Sequence, residues 1–257
     1  MRMIVDSHPE VMCGPEAPWI AGRGWDHPPN FRQLAAFMAH DKWGAVEGFS
    51  DLDEDDVYRA MGGAIDELLG TAARRQGKSR WADKTPENVV AVPAIHRMLP
   101  TARFVHVLRD GRDVALSTAA GSWSKIVYDG KKVRNTYRNA LRRWTAWVNR
   151  FRDDVRAHDV AWTCVRYERL VRRPEETVRE LLDFLALEWT DAVMRPYATE
   201  HDVIDPEGEG MKSFFERRAI DTASVFRWKE ELSWPQRMLT RRIAETTLQE
   251  LEYEPTP

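Results

Sequence analysis

Cysteine is nearly absent from this 257-residue chain: Cys13 and Cys164 are its full complement. Two cysteines build neither a disulfide framework nor a metal-ligand pattern, and they suit a reducing compartment. A long apolar run is absent too, since nothing approaches the roughly 20 residues that cross a bilayer. The first residues show no basic stretch followed by an apolar one, so no secretory leader is expected. Nor is there an excess of either charge. Thirty-eight Lys and Arg against 41 Asp and Glu leave a net charge of −3, whereas nucleic-acid binding calls for a strongly basic surface. There is no internal repeat or low-complexity tract, and no GxxxxGK followed by Ser or Thr, which counts against a P-loop kinase. These absences lead to the expectation of a cytoplasmic protein with no nucleic-acid or membrane partner.

What is present is the stretch RFVHVLRDGRDVALS, residues 103–117. Phe104, Val105, Val107 and Leu108 form a short β-rich apolar run, which predicts a buried strand. Asp110 and Gly111 supply turn chemistry, and Asp113 follows Asp110 at capping-box spacing, which predicts a helix start. In open α/β sheets ligands bind at the carboxyl ends of strands. A helix N-terminus placed there favours anions, and Arg109 adds a planar fork suited to phosphate. Ser117 offers a hydroxyl from the emerging helix. The alternative is that the Arg-Asp pair only caps that helix.

The rest of the chain reads as one α/β domain over residues 1–257. Val57, Ala60, Met61, Ala64, Ile65, Leu68, Leu69 and Ala72 recur at helical spacing behind the acidic run Asp53–Asp56. Leu141, Trp144, Val148 and Phe151 mark a second stripe. A third helix opens at Pro174 and buries Val178, Leu181, Leu182 and Leu185. Ser233 and Gln236, with Pro235 between them, predict the start of the last helix. Residues 161–168 and 79–85 are further strand candidates. Intervening helices imply parallel pairing through crossovers. Thr85 and Pro86 read as N-cap and first residue of a helix that Pro93 kinks or ends. Residues 202–224 have no clean period and read as a long loop. Cys164 lies in an apolar stretch and is expected in the core. His8 reads as a turn residue. Trp81, Trp144, Trp147 and Trp228 read as core. The basic cluster Arg134, Arg138, Arg142, Arg143, Arg150 and Arg152 reads as a solvated helix face.

These segments together resemble the sulfotransferase superfamily that uses 3′-phosphoadenosine 5′-phosphosulfate (PAPS), with nearest similarity to its bacterial and tyrosylprotein branch. RFVHVLRDGRDVALS resembles the family's 3′-phosphate motif, which assigns the phosphate clamp to Arg109 and Ser117. VRYERLVRRPEETVRELLDFL, residues 165–185, resembles the segment whose tyrosine contacts the adenine, here Tyr167. SVFRWKEEL, residues 224–232, resembles the segment that returns to the nucleotide, with Ser224, Arg227 and Lys229 as candidates. DSHPEVMCGPE, residues 6–16, resembles the stretch after the family's first helix, where the tyrosylprotein branch carries its catalytic base at the position of Glu16. WADKTPEN fits the pattern as well and places Lys84 near the sulfate.

The resemblance implies a parallel sheet flanked by helices in three layers, PAPS as co-substrate and no metal. The implied reaction moves a sulfuryl group to a hydroxyl or amine of a small-molecule or peptide acceptor. Two departures accompany it. The family opens with a strand and a loop like PRSGTT that wraps the 5′-phosphosulfate, and no such sequence occurs here. MRMIV, residues 1–5, aligns instead with the helix that follows that loop, so the chain is expected to lack the family's first strand and loop. Pro18 stands where the tyrosylprotein branch has an arginine that orients its acceptor. A non-catalytic nucleotide-binding module is the alternative from a different functional class.

Overall fold

The computed structural model describes the chain except for residues 23–29, 41–44, 49–51, 122–124, 129–130, 200, 202–221 and 223. The expected loop 202–224 therefore lies outside the described residues, apart from Thr222 and Ser224. The first elements are α1 (Arg2–Asp6), β1 (Val11–Cys13), α2 (Phe31–Ala39), α3 (Ala45–Gly48) and α4 (Glu54–Arg75). Strand β2 (Arg80–Ala82), α5 (Val92–Met98), β3 (Phe104–Leu108) and α6 (Gly111–Ala120) follow. A hairpin of β4 (Lys125–Tyr128) and β5 (Lys131–Arg134) leads into α7 (Tyr137–Ala157), β6 (Trp162–Arg166), α8 (Tyr167–Arg172) and α9 (Pro174–Leu185). Short helices Trp228–Glu231, Trp234–Ile243 and Glu245–Glu250 close the chain.

All three strands read from the sequence form, and their pairing is parallel as expected. β3 and β6 run in register from Phe104 opposite Trp162 to Leu108 opposite Arg166. β2 pairs with β1, Met12 lying opposite Trp81. Parallel neighbours need long crossovers, and α2–α4 supply one while α6, the hairpin and α7 supply the other. Among the described residues the parallel ladder is divided into these two pairs. The backbone of β1 shows why. Val11 N–H donates to the His8 carbonyl. Cys13 N–H donates to Asp6 Oδ1 at 2.7 Å, and Lys78 Nζ reaches the Val11 carbonyl at 2.9 Å. Those groups are satisfied without another strand.

Helix ends follow the sequence closely. Asp53 and Asp56 form a capping box at the start of α4, with Arg74 and Arg75 in its last turn. The arrangement suits the helix dipole at both ends. Gln236 Oε1 accepts the Ser233 N–H at 2.9 Å, as the spacing predicted. Five expectations are corrected. β3 is not a buried strand throughout, since Leu108 is enclosed but Phe104–His106 are half-buried and Val107 is 40% exposed. Leu68 faces out, 55% exposed. Cys164 is exposed, because it occupies a strand residue turned away from the core. Thr85 and Pro86 stand at the N-cap and first position of a helix as expected, but it is the 3₁₀ helix Pro86–Val90, and the Thr85 hydroxyl donates to Asp83 rather than capping it. The helix opened at Pro86 ends at Val90, and Pro93 stands second in α5 (Val92–Met98), in the first turn where its missing N–H costs nothing.

Three packed groups position the strand ends. Ile4, Val11 and Cys13 join Val165, Val178, Leu181 and Leu182 between β1, β6 and α9. Val57, Ile65, Ile95 and Met98 pack α4 on α5. Leu108, Ala115, Leu141, Trp144, Trp228 and Leu248 join β3, α6, α7 and the C-terminal helices. Gly111 sits directly against Trp144 in this last group, and a Cβ added at Gly111 would fall on the indole ring.

Candidate active site

The two parallel pairs each end in a set of chemically capable side chains. Strands β3 and β6 end side by side, so Arg109 and Tyr167, the next residues on each, are brought together. The Arg109 guanidinium lies 4.7 Å from the Tyr167 ring centroid, a cation–π distance. Its Nη2 donates to the Ser224 carbonyl at 2.6 Å. Its Nε is buried and has no hydrogen-bond partner among the described residues. A buried unsatisfied donor on a charged group is costly, so the position is suited to an anionic acceptor.

A buried network holds Arg109 in place. Trp144 Nε1 donates to the Arg109 carbonyl at 3.1 Å. The Asp110 carboxylate accepts the Arg112 N–H at 2.9 Å and pairs with the Arg112 guanidinium at 2.8 Å, both side chains being fully enclosed. Arg112 also donates to the Glu254 carbonyl at 2.8 Å and lies 3.5 Å from the Trp228 ring centroid. The expected capping box between Asp110 and Asp113 does not form. The Asp110 N–H donates instead to Glu168 Oε1 at 2.8 Å. Asp113 accepts the Phe226 N–H at 2.7 Å and the Trp228 N–H at 2.9 Å. Burial pushes the Asp113 carboxyl up from its ordinary value, and those backbone donors partly counter it. Tyr253 donates its hydroxyl to Glu168 Oε2 at 3.3 Å, and burial, with the Glu168 charge beside it, drives the phenol upward.

The remaining nucleotide candidates divide. Ser117 is exposed on α6, one helical turn beyond Asp113 on the same face. It therefore lies on the side of α6 that meets residues 226–228. Ser224 contributes its carbonyl to Arg109. Arg227 is paired with Glu231 at 2.7 Å, which raises its guanidinium above the ordinary value. Lys229 is paired with Glu254 at 2.5 Å. These two cations are already matched to carboxylates.

The ends of β1 and β2 bring Glu16 and Lys84 together as an ion pair through Glu16 Oε1, the two side chains 32% and 44% exposed. The loop that carries Glu16 is pinned from below. Ala17 N–H donates to Thr85 Oγ1 at 2.9 Å, and Asp83 accepts from the Thr85 hydroxyl at 2.9 Å and Asn88 Nδ2 at 2.6 Å. Burial raises the Asp83 carboxyl, against which these hydrogen bonds act. His8, expected in a turn, is buried with Nε2 hydrogen-bonded to the Glu188 carbonyl at 2.9 Å. Among the described residues no group of three His, Cys, Asp or Glu side chains could hold a metal ion, and no helix is long and apolar enough to cross a membrane.

Sequence reasoning passed over Arg112, Asp113, Glu168 and Tyr253. Asp113 was visible only as a local cap. Glu168, the neighbour of Tyr167 in VRYERL, gave no signal of its own because its partners lie on other elements.

An α/β fold with an arginine, an aromatic ring and a helix start at the ends of parallel strands has chemistry suited to an anionic ligand. The sequence profile of the sulfotransferase family matches residues 1–191, and the chain belongs to that family of enzymes. Membership implies a sulfate donor as co-substrate. A putative protein-tyrosine sulfotransferase of Caenorhabditis elegans is 24% identical over 231 residues, 89% of this chain and 81% of that protein. Protein-tyrosine sulfotransferase 2 of Gallus gallus is 28% identical over 200 residues, 76% of this chain and 49% of the relative, so the chain spans about half of that protein. In structure the chain resembles the sulfotransferase domain from the curacin biosynthetic pathway. The TM-score is 0.63 at 16% identity, covering 98% of this chain and 92% of that one.

Proposed function

We propose that this chain transfers a sulfuryl group from PAPS to a hydroxyl or amine of a small-molecule or peptide acceptor. The Nε of Arg109, buried and with no hydrogen-bond partner among the described residues, in a guanidinium stacked on Tyr167, carries the nucleotide half of this reading. It is a donor in need of an anion, beside a ring able to stack on a base. Arg109 and Ser117 hold the 3′-phosphate, Tyr167 meets the adenine, and Ser224, Arg227 and Lys229 line the returning segment. PAPS, when bound, supplies the activated sulfuryl group, and adenosine 3′,5′-bisphosphate is what leaves.

Glu16 takes the proton from the acceptor as its oxygen or nitrogen bonds to sulfur. Lys84 offers its ammonium to the sulfate oxygens, which carry charge as the bridging S–O bond breaks. Most of the rate gain comes from holding acceptor and sulfate in line, as in phosphoryl transfer. The relatives named as protein-tyrosine sulfotransferases support a peptide acceptor. Pro18, in place of the branch's acceptor-orienting arginine, favours a different one. The two free cysteines, Cys13 and Cys164, fit a reducing compartment, and we place the protein in the cytoplasm on that ground.

A second reading, a nucleotide-binding protein without transfer, is favoured by the ion pair between Glu16 and Lys84, which already engages both groups that transfer would use. Calorimetry with adenosine 3′,5′-bisphosphate followed by a labelled-sulfate transfer assay separates the two. Binding with turnover is the expected result. Binding without turnover on any hydroxyl or amine acceptor selects the second reading, and no binding overturns both.

A further inference from the structure

The feature that the proposed chemistry leaves unused is the carboxylate of Asp113. It sits at the third position of α6, where an acidic residue ordinarily turns back to cap its own helix. Here that duty is taken from outside, because the Asp110 N–H donates to Glu168 at 2.8 Å. Asp113 is thereby released to face another part of the chain. It is 2% exposed, and its two oxygens accept the backbone N–H groups of Phe226 and Trp228, at 2.7 and 2.9 Å. Phe226 adopts a left-handed backbone, φ 56°, which a bulky residue keeps only where its surroundings hold it. On either side of it, Trp228 is stacked under Arg112 and Ser224 gives its carbonyl to Arg109. Phe226 itself lies under the Arg172 guanidinium, 5.1 Å from it.

We infer that Asp113 is a positioning residue: its carboxylate anchors residues 224–228 against α6, and Glu168 frees it to do so by capping the helix in its place. Through the Ser224 carbonyl this anchor sets where the Arg109 fork points. Asp113 touches no nucleotide. The inference rests on the nucleotide reading above, and it adds the residue that fixes the returning segment. An Asp113→Asn variant keeps the shape but presents at least one of the two N–H groups to an amide donor instead of an oxygen.

Hydrogen exchange without ligand tests the anchor by itself. In Asp113→Asn the amides of Phe226 and Trp228 should lose protection while those of β3 and β6 keep theirs; unchanged protection at 226 and 228 overturns the anchor. Calorimetry then tests positioning. Affinity for adenosine 3′,5′-bisphosphate should fall about 10-fold, the loss of one hydrogen bond to a charged group, with adenosine 5′-monophosphate affected less than about 2-fold. Equal effects on both nucleotides, or none on either, reduce Asp113 to a stability role. Should the variant not fold, the parent protein answers: the bisphosphate should slow exchange at Phe226 and Trp228 and the monophosphate should not. Equal slowing by both overturns the proposal. A parent that binds neither nucleotide overturns the nucleotide reading and the positioning role with it, while exchange at 226 and 228 still reports on the anchor.

Discussion

The ends of the two parallel strand pairs are built in opposite ways. At the end of β3 and β6, Arg109 stands on fully enclosed or nearly enclosed charges: Asp110, Arg112, Asp113 and Glu168. At the end of β1 and β2, Glu16 and Lys84 form a direct ion pair, both side chains partly exposed, above a loop pinned by the Ala17 N–H on Thr85. Buried charges tolerate little rearrangement because an unpaired one is expensive. Exposed pairs exchange partners at little cost. One end is thus fixed before any ligand arrives. The other, on the proposed function, can open to admit an acceptor and re-form around it.

Substitutions can break this contrast. The largest effect is expected from Glu16→Gln, which keeps shape and removes basicity. Turnover should fall by about 10²- to 10⁴-fold with nucleotide affinity unchanged; turnover within a few-fold of the parent would remove Glu16 from the chemistry. Arg112→Ala should act on stability instead. It strands the Asp110 carboxylate in the interior, and denaturant unfolding should show a loss of about 3–5 kcal/mol. Arg109→Ala should weaken adenosine 3′,5′-bisphosphate binding by about 10- to 100-fold and leave adenosine 5′-monophosphate nearly untouched in the same calorimeter. Lys84→Ala should barely move the thermal midpoint, since an exposed pair contributes about 0–1 kcal/mol, yet it should reduce turnover.

A smaller effect is expected from pH. His106, behind Arg109 on β3, stacks on Phe151 at 4.2 Å, and burial holds its imidazole down to about 4. The unfolded chain takes up this proton near pH ~6.5, before the folded one does. Stability is therefore full above that pH and falls as the pH drops toward 4. Thermal midpoints across this range should decline less steeply in His106→Phe.

Much of the frame was legible because it is written in local pattern. The strands placed at 103–108 and 161–168 form at Phe104–Leu108 and Trp162–Arg166, the second ending where Tyr167 opens a helix, and the acidic start of α4 and the Ser233–Gln236 pair appear where the sequence placed them. β1 was not legible: Val11–Cys13 is three residues long and wholly buried, too short to alternate. The β4–β5 hairpin carries an Asp129–Gly130 signal that alternating residues on either side did not reinforce. The separate roles of Arg109, Tyr167, Glu16 and Lys84 came from resemblance, and their direct contacts were not read because no spacing rule links strand ends so far apart in the chain. The same distance hid Asp113, whose hydrogen-bond partners lie at the other end of the protein.

The contact between Gly111 and Trp144 has an evolutionary side. Because the indole occupies the space where a Cβ would stand, the two positions are one choice made twice. An alanine at 111 becomes acceptable only after 144 has shrunk, and a shrunken 144 gives up the indole N–H that holds the Arg109 carbonyl. Sequence drift at this turn is then a two-step path whose intermediate is worse than either end. Gly111 and Trp144 are therefore set by each other's bulk, and a change at one position alone either crowds or empties the space between them.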